Sequence, residues 1–423
     1  MPNGLFYKDM TNFAYNMKKT ATWAAIALMM VVCSNCNGTD DGENEPVICP
    51  VESSIQLTRG EQVMVSKSND FAFNLFREVA DNSKSQVLSP ISITYALGML
   101  NNGAAGETQQ QINSVLGFTD TDAVNNFCRK MLTMAPDLDP QTKLMIANTI
   151  YMNKDYQLKP AFVQKVHDYY NAELETRDFH DGKTMDVINQ WASDHTEKMI
   201  EKILDNDTFD PDAVSYLLNA IYFKGEWSSR FEKEFTTDET FNGGGKVPMM
   251  HQTSNFLYGE NDYYKVLQMP YGNGSYAMTV MLPYEGKTVG DILQQLTADS
   301  WQNLRLVNTM TDVRLPRFET QQDTELISIM SKLGMPKAFT RLAEFPDFCN
   351  IPVFISLMKQ SARIKVNEEG AEAAAVTAIG ITFTSIGPET PKYETFYATR
   401  PFLYIISELS TGAIFFIGNY AGE

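Results

Sequence analysis

The order of two kinds of pattern constrains this 423-residue chain more than any single motif: helical periodicity gathers in the first half and short β-rich runs in the second. Residues 69–80 place Phe71, Phe73, Leu75, Phe76 and Val79 at helical spacing. Ser89 stands where a helix cap belongs, Pro90 takes the first position, and Ile93, Ala96, Leu97 and Leu100 share a face. Asn101-Asn102-Gly103 supplies a stop. Segments 108–116 and 184–202 are further amphipathic helices. Strand-like runs follow at 144–151, 215–223, 264–270, 276–282, 313–318, 361–366, 402–407 and 413–418. Helices followed by many short strands predict an α+β fold with antiparallel sheets. From Thr58 onward there is no second linker, repeat or low-complexity run, so 58–423 reads as a single domain.

The first 36 residues read as a targeting segment instead of fold. Lys18 and Lys19 precede a nine-residue apolar run at 24–32, too short to cross a bilayer and suited to a signal peptide. Met17 is a plausible true start. Cys33 and Cys36 follow, then an acidic, turn-rich stretch, so residues 37–57 are expected to be a flexible tether. This layout is similar to a bacterial lipoprotein signal lipidated at Cys36, with Cys33 as the alternative. An ordinary signal peptide that removes both cysteines is the competing reading. Cys49, Cys128 and Cys349 give no disulfide framework; a 128–349 bond is the alternative to buried thiols.

Net charge of −18 argues against nucleic acid as a partner, because phosphate binding needs clustered Lys and Arg. Enzyme chemistry is equally hard to assemble. His167, His180, His195 and His251 form no metal-binding pair, and no nucleophile elbow is present. Gly243-Gly-Gly-Lys246 lacks the remaining residues of a phosphate loop and reads as a turn between strands. No cofactor and no metal are expected.

One stretch stays unexplained by this inventory. Residues 368–385, Glu-Glu-Gly-Ala-Glu-Ala-Ala-Ala-Val-Thr-Ala-Ile-Gly-Ile-Thr-Phe-Thr-Ser, begin helix-prone and end β-branched, with no charge after Glu372.

Six blocks, in order, carry a resemblance to the serpin family over residues 60–420. They are Ser89-Pro-Ile-Ser-Ile-Thr-Tyr-Ala-Leu-Gly-Met-Leu-Asn-Asn-Gly-Ala-Ala-Gly-Glu-Thr108, Leu218-Asn-Ala-Ile-Tyr-Phe-Lys-Gly-Glu-Trp227 with Phe231 and Thr236, and Val247-Pro-Met-Met250. Leu315-Pro-Arg-Phe318, Leu333-Gly-Met335 with Ala338-Phe339, and Arg400-Pro-Phe-Leu403 complete the set. The resemblance implies three β-sheets, eight or nine helices, and an exposed reactive-centre loop at 368–400, cut by a serine protease and then inserted into the largest sheet. The hinge would comprise Glu368, Glu369, Gly370, Ala371, Glu372, Ala373, Ala374, Ala375, Val376 and Thr377. Family spacing puts the cut at Thr384-Ser385, with Phe383 as an alternative. Ser89, Ser92, Asn219 and Gln360 match the region where the sheet opens; Gln360 replaces a histidine that the family often has. Trp227 and Arg317 match the point where the loop goes in, with an Arg317–Glu368 ion pair expected.

The loop residues meet the demands of insertion. Strand side chains alternate. With Ala371 inward, the inward set Ala371, Ala373, Ala375, Thr377, Ile379, Ile381 and Phe383 carries no charge, while Glu372 heads the solvent-facing set. A one-residue slip would bury Glu372.

These readings make the chain a monomeric, non-enzymatic inhibitor of serine proteases, elastase-like or subtilisin-like for a cut after Thr384 and chymotrypsin-like after Phe383. Cysteine proteases are further candidates. It would touch membrane only through its lipid anchor, at the bacterial outer membrane or cell surface, or else be periplasmic or extracellular. The alternative is a non-inhibitory serpin that binds or chaperones.

Overall fold

The computed structural model describes residues 54–118, 120–371 and 393–422. The expected signal segment with Cys33 and Cys36, the expected tether to residue 53, and loop residues 372–392, including Glu372 to Thr377 and the expected cut at Phe383, Thr384 and Ser385, lie outside the described residues.

Helix α1 (Arg59–Val79) starts ten residues before the apolar periodicity does. Its start is set by cap chemistry: the Glu61 N–H donates to Thr58 Oγ1 at 3.3 Å, and the Thr58 N–H donates to the Glu61 carboxylate at 2.7 Å. The body begins before residue 58, because Ile55 is buried and its N–H donates to Ser410 Oγ at 2.9 Å. In α2 (Pro90–Asn101) every residue is buried, so it is a core helix with no polar face. Four more helices precede the second half: α3 (Gly106–Leu116), α4 (Thr121–Met134), α5 (Pro160–Tyr170) and α6 (Thr184–His195). The last ends short of the expected residue 202 because Glu197 and Lys198, at φ 49° and 66°, turn the chain aside. With α7 (Val289–Gln295), α8 (Ala298–Gln302) and α9 (Ile327–Leu333), the described residues hold nine α-helices.

Among the described residues fifteen strands form two hydrogen-bonded networks. The six-stranded one runs β10 (Phe318–Glu325), β11 (Leu357–Asn367), β12 (Gly370–Ala371), β4 (Ser215–Glu226), β2 (Lys143–Asn153), β3 (Glu173–Arg177). The nine-stranded one runs β1 (Gln86–Leu88), β15 (Ile414–Tyr420), β14 (Phe402–Glu408), β8 (Tyr276–Pro283), β7 (Tyr264–Tyr271), β6 (Lys246–Glu260), β9 (Val307–Pro316), β13 (Glu394–Tyr397), with β5 (Thr237–Thr240) beside β6. The expected three sheets come as two networks because of β6. One edge pairs with β9 from Met249 to Tyr258. The other carries β5 at Lys246–Met249 and β7 at Leu257–Glu260, which joins two sheets through one strand.

The run expected at 313–318 is two strands, broken at Arg317, whose N–H leaves the ladder to bond Pro248 O at 2.8 Å. Strand β10 shows no apolar alternation: Thr320, Gln322 and Thr324 share one face, Glu319, Gln321, Asp323 and Glu325 the other, and Phe318 is its one large apolar residue. The glycine run is a turn: the Phe241 N–H donates to Gly245 O at 3.0 Å, and Gly243 takes φ 68°. Cys128 and Cys349 are buried free thiols.

The six-stranded sheet separates two cores. Its inner face, with Leu217, Ile221, Phe223, Met358, Ala362, Ile364 and Val366, packs on the main core. Its outer face is covered in part: Tyr216, Leu218 and Ala220 pack with Ile188 and Trp191 of α6 and with Ile200, Ile203 and Leu204.

Candidate functional site: a sheet gate and a seated hinge

The sequence places Ser89 and Ser92 at the start of α2, Asn219 in β4 and Gln360 in β11, far apart along the chain. The fold brings all four together under the sheet, fully buried. Gln360 Nε2 lies 2.8 Å from both Ser92 Oγ and Asn219 Oδ1 and 3.0 Å from Ser89 O. Gln360 Oε1 accepts from the Ser89 N–H at 2.9 Å, so one amide grips both backbone groups of Ser89. That grip corrects the capping assignment: the Ser89 hydroxyl makes no cap hydrogen bond and is buried without a partner. Ser92 Oγ donates to Asn219 Oδ1 at 2.7 Å. Asn219 Nδ2 then donates to Asn148 Oδ1 of β2 at 2.9 Å, extending the chain of bonds to a third strand. Nothing local in the sequence marks Asn148; only the β2–β4 register, which sets it opposite Asn219, reveals it. The Gln360 amide donates and accepts in one plane. It carries no titratable proton.

The second group lies at the upper end of the same strands. Glu368 is 2 % exposed and ion-paired to Arg317, as expected. It also accepts from Thr236 Oγ1 at 2.7 Å, a contact the sequence did not assign. Burial pushes the Glu368 carboxyl up, but the Arg317 guanidinium, the Thr236 hydroxyl and its own N–H outweigh it and hold it below the usual carboxylate range. Lys233 bonds Glu369 at 2.6 Å. The Trp227 indole is buried, stacks on Tyr271 with centroids 4.4 Å apart, and donates to Asn367 O at 2.9 Å. The Trp227 N–H donates to Glu369 O at 2.8 Å and the Phe231 N–H to Glu368 O at 2.9 Å, so the turn is clamped by backbone as well.

Gly370 and Ala371 are already strand. Gly370 pairs with Asn367 and Glu226, and Ala371 with Val366 and Gly225, antiparallel on both sides. Gly370 sits at φ +145°, and a Cβ there would lie 2.1 Å from Gly225 O, so only glycine fits. Ala371 is buried, the inward orientation expected of it. Below this wedge β4 and β11 close on each other in parallel, from Ala362–Ile221 to Leu357–Tyr216. Each β11 residue there is numbered 141 above its β4 partner, and Val366 and Gly225, which flank Ala371, stand in the same relation.

The histidines build no catalytic centre. His195 Nδ1 lies 2.8 Å from Trp191 O, His251 Nε2 lies 2.6 Å from Glu239, and His167 and His180 are exposed. What the site can do is mechanical: a sheet held shut by side-chain hydrogen bonds, with a strand started at its upper end.

Residues 66–422 match the family described as Serpin (serine protease inhibitor). Human leukocyte elastase inhibitor is 32% identical over 378 residues, covering 84% of this chain and 98% of that one. The native-state crystal structure of the thermophilic serpin tengpin superposes with a TM-score of 0.79 at 29% identity, over 88% of this chain and 96% of that one. Human thyroxine-binding globulin, solved with thyroxine, gives a TM-score of 0.78 at 26% identity, over 86% and 100%.

Proposed function

This chain belongs to the serpin family of protease inhibitors, which are not themselves enzymes, and we propose that it traps serine endopeptidases as a suicide substrate through the loop at 368–400. Its supporting observation is the register of the seated hinge. Continued downward, the Gly370–Ala371 ladder sets Glu372 between Lys365 and Lys224, Ala373 between Ile364 and Phe223, Thr377 between Gln360 and Asn219, and Gly380 between Leu357 and Tyr216. Because β4 and β11 already stand at the offset this requires, insertion parts them sideways without sliding either strand. From Ala375 to Gly380 each loop residue would trade one parallel β4–β11 pairing for two antiparallel ones.

The same register explains why residues 373–385 carry no charge on either face. The sequence reading gave the outward set to solvent. Beyond Glu372 that face runs under α6 and its following segment, where Leu218 and Ala220 are buried, so Ala378 and Gly380 would enter a confined space. A cut at Thr384-Ser385 leaves the acylated residue just past Gly380, the last rung that both strands supply. Thirteen residues from Ala371 to Thr384 span about 43 Å in a strand. An acyl-enzyme dragged that far is pressed against the opposite pole, and hydrolysis fails once the triad and oxyanion hole lose their geometry. The named target of the human elastase inhibitor favours an elastase-like protease here too. A small Thr384 suits such a pocket or a subtilisin-like one.

The N-terminal segment supports export and a lipid anchor at Cys36, or Cys33, at the bacterial cell surface.

Mixing the purified protein with elastase or subtilisin tests the trap. An SDS-stable adduct, a released C-terminal peptide beginning at Ser385, and a nicked form melting far above the intact one are expected. Clean cleavage with no adduct and no gain in melting temperature refutes trapping and leaves a serpin that only binds.

A further inference from the structure

We propose that Asn242, in the glycine-rich turn between β5 and β6, is a site of self-modification that turns into aspartate and isoaspartate. The turn takes no part in the gate or the hinge. The chemistry belongs to asparagine followed by glycine. The Gly243 backbone nitrogen attacks the Asn242 carboxamide carbon, so an N–Cγ bond forms and the Cγ–Nδ2 bond breaks. The proton shed by that nitrogen returns, through water, to the departing amide, which leaves as ammonia. Water then opens the succinimide ring at either carbonyl, giving aspartate from one and isoaspartate from the other. Water is the only co-reactant.

Among the described residues asparagine precedes glycine at Asn102, Asn242 and Asn273, and the fold treats the three differently. Asn102 is buried, its Nδ2 donates to Gly98 O at 2.9 Å and Asn125 Oδ1 at 2.8 Å, and the Gly103 N–H donates to Leu100 O at 3.0 Å. Asn273 Nδ2 donates to Leu138 O at 2.9 Å, its Oδ1 accepts from the Ser275 N–H at 2.9 Å, and the Gly274 N–H donates to Tyr271 O at 2.8 Å. In both pairs the carboxamide is clamped and the attacking nitrogen is engaged. Asn242 is exposed, and among the described residues its carboxamide has no partner and the Gly243 N–H makes no hydrogen bond. A Cβ on Gly243 would meet nothing within 4 Å, so the nitrogen and the incoming water are unobstructed.

The run Gly243-Gly244-Gly245 meets the remaining requirement. Ring closure asks for rotation about ψ of Asn242, which opens the bond from the Gly244 N–H to Phe241 O at 2.9 Å. Three residues without Cβ do not oppose that rotation, and an exposed turn opens locally at small cost. The Asn242 N–H donates to Thr399 O at 2.7 Å. Isoaspartate, with one more carbon in its backbone, would therefore lengthen the chain where the turn holds the segment that follows β13.

Incubating the purified full chain at mildly alkaline pH, with peptide mass mapping over time, tests this. The peptide holding Asn242 should gain about 1 Da, in two forms that separate on chromatography, one for each product. The peptides holding Asn102 and Asn273 should change at least about tenfold more slowly, because their amides must first be released by wider opening. In urea the three should convert at similar rates, which assigns the difference to the fold and not to the neighbouring sequence. Asn242 unchanged in the folded chain, whatever happens in urea, or Asn102 or Asn273 keeping pace with it, overturns the proposal.

Discussion

Moving one charge by one position isolates the insertion register. In the exchange Glu372→Ala/Ala373→Glu the composition is constant, but the carboxylate passes from the rung flanked by Lys365 and Lys224 to the rung flanked by Ile364 and Phe223. Lys224 and Lys365 are partly exposed, whereas Ile364 and Phe223 are 1% and 3% exposed. Losing a partly exposed ion pair costs at most about 1 kcal/mol. Burying an unpaired carboxylate costs several kcal/mol, and even 3 kcal/mol slows passage through that rung about a hundredfold. Deacylation is untouched by the exchange, so it should outrun insertion. The assay is the number of inhibitor molecules consumed per elastase inactivated, read beside the SDS-stable adduct. Glu372→Ala alone should change this number little, and the exchange should convert the protein to a substrate. An exchange variant that inhibits with the parent's stoichiometry would refute both the register and the inward assignment of odd-numbered residues.

Three further outcomes are expected. Gln360→Ala leaves the buried Ser89 N–H without a partner and removes one of the bonds to Ser89 O and to Asn219, and should destabilise the intact form by about 2 kcal/mol, seen as a lower melting temperature and faster polymerisation. Gly370→Ala drives a Cβ into Gly225 O and should expel the wedge, read as lost hydrogen-exchange protection at the amide of Ala371 with the lower sheet unchanged. Glu368 has a lowered folded-state pKa, so its contribution is present above the ordinary carboxylate value near 4.3 and disappears as pH falls further. Hinge release, followed by Trp227 emission, should therefore be flat from neutral pH to about 5 and rise below 4; in Arg317→Met the onset should move to higher pH.

Those outcomes rest on features of unequal visibility in the sequence. Apolar periodicity located helix and strand interiors, because only buried faces impose it. It misplaced the ends, which short-range polar chemistry decides: the Thr58–Glu61 box extends α1 backward, and the turn at Glu197 and Lys198 truncates α6. Strand β10 was hidden because its side chains are mostly polar on both faces. Serine, asparagine and glutamine of the gate were reached through the family resemblance; their bonding was not, since Ser89 offers its backbone where a hydroxyl cap was expected. Asn148 and Thr236 act through partners more than seventy residues away, and no local pattern announces such contacts.

The six parallel pairings between β4 and β11 behave like the closed teeth below a zip slider. On the proposed insertion Ala371 is the slider, and behind each advance two rungs would replace one, so opening would be confined to a single level at a time. Work against the seal would then be local at every stage, while the gain accumulated. A sheet built this way should show a rate fixed by the first few levels, where Ser92, Asn219 and Gln360 hold, and a final depth fixed by the last. Substitutions near Leu357 and Tyr216 would then change how firmly a captured enzyme is crushed without changing how soon it is caught.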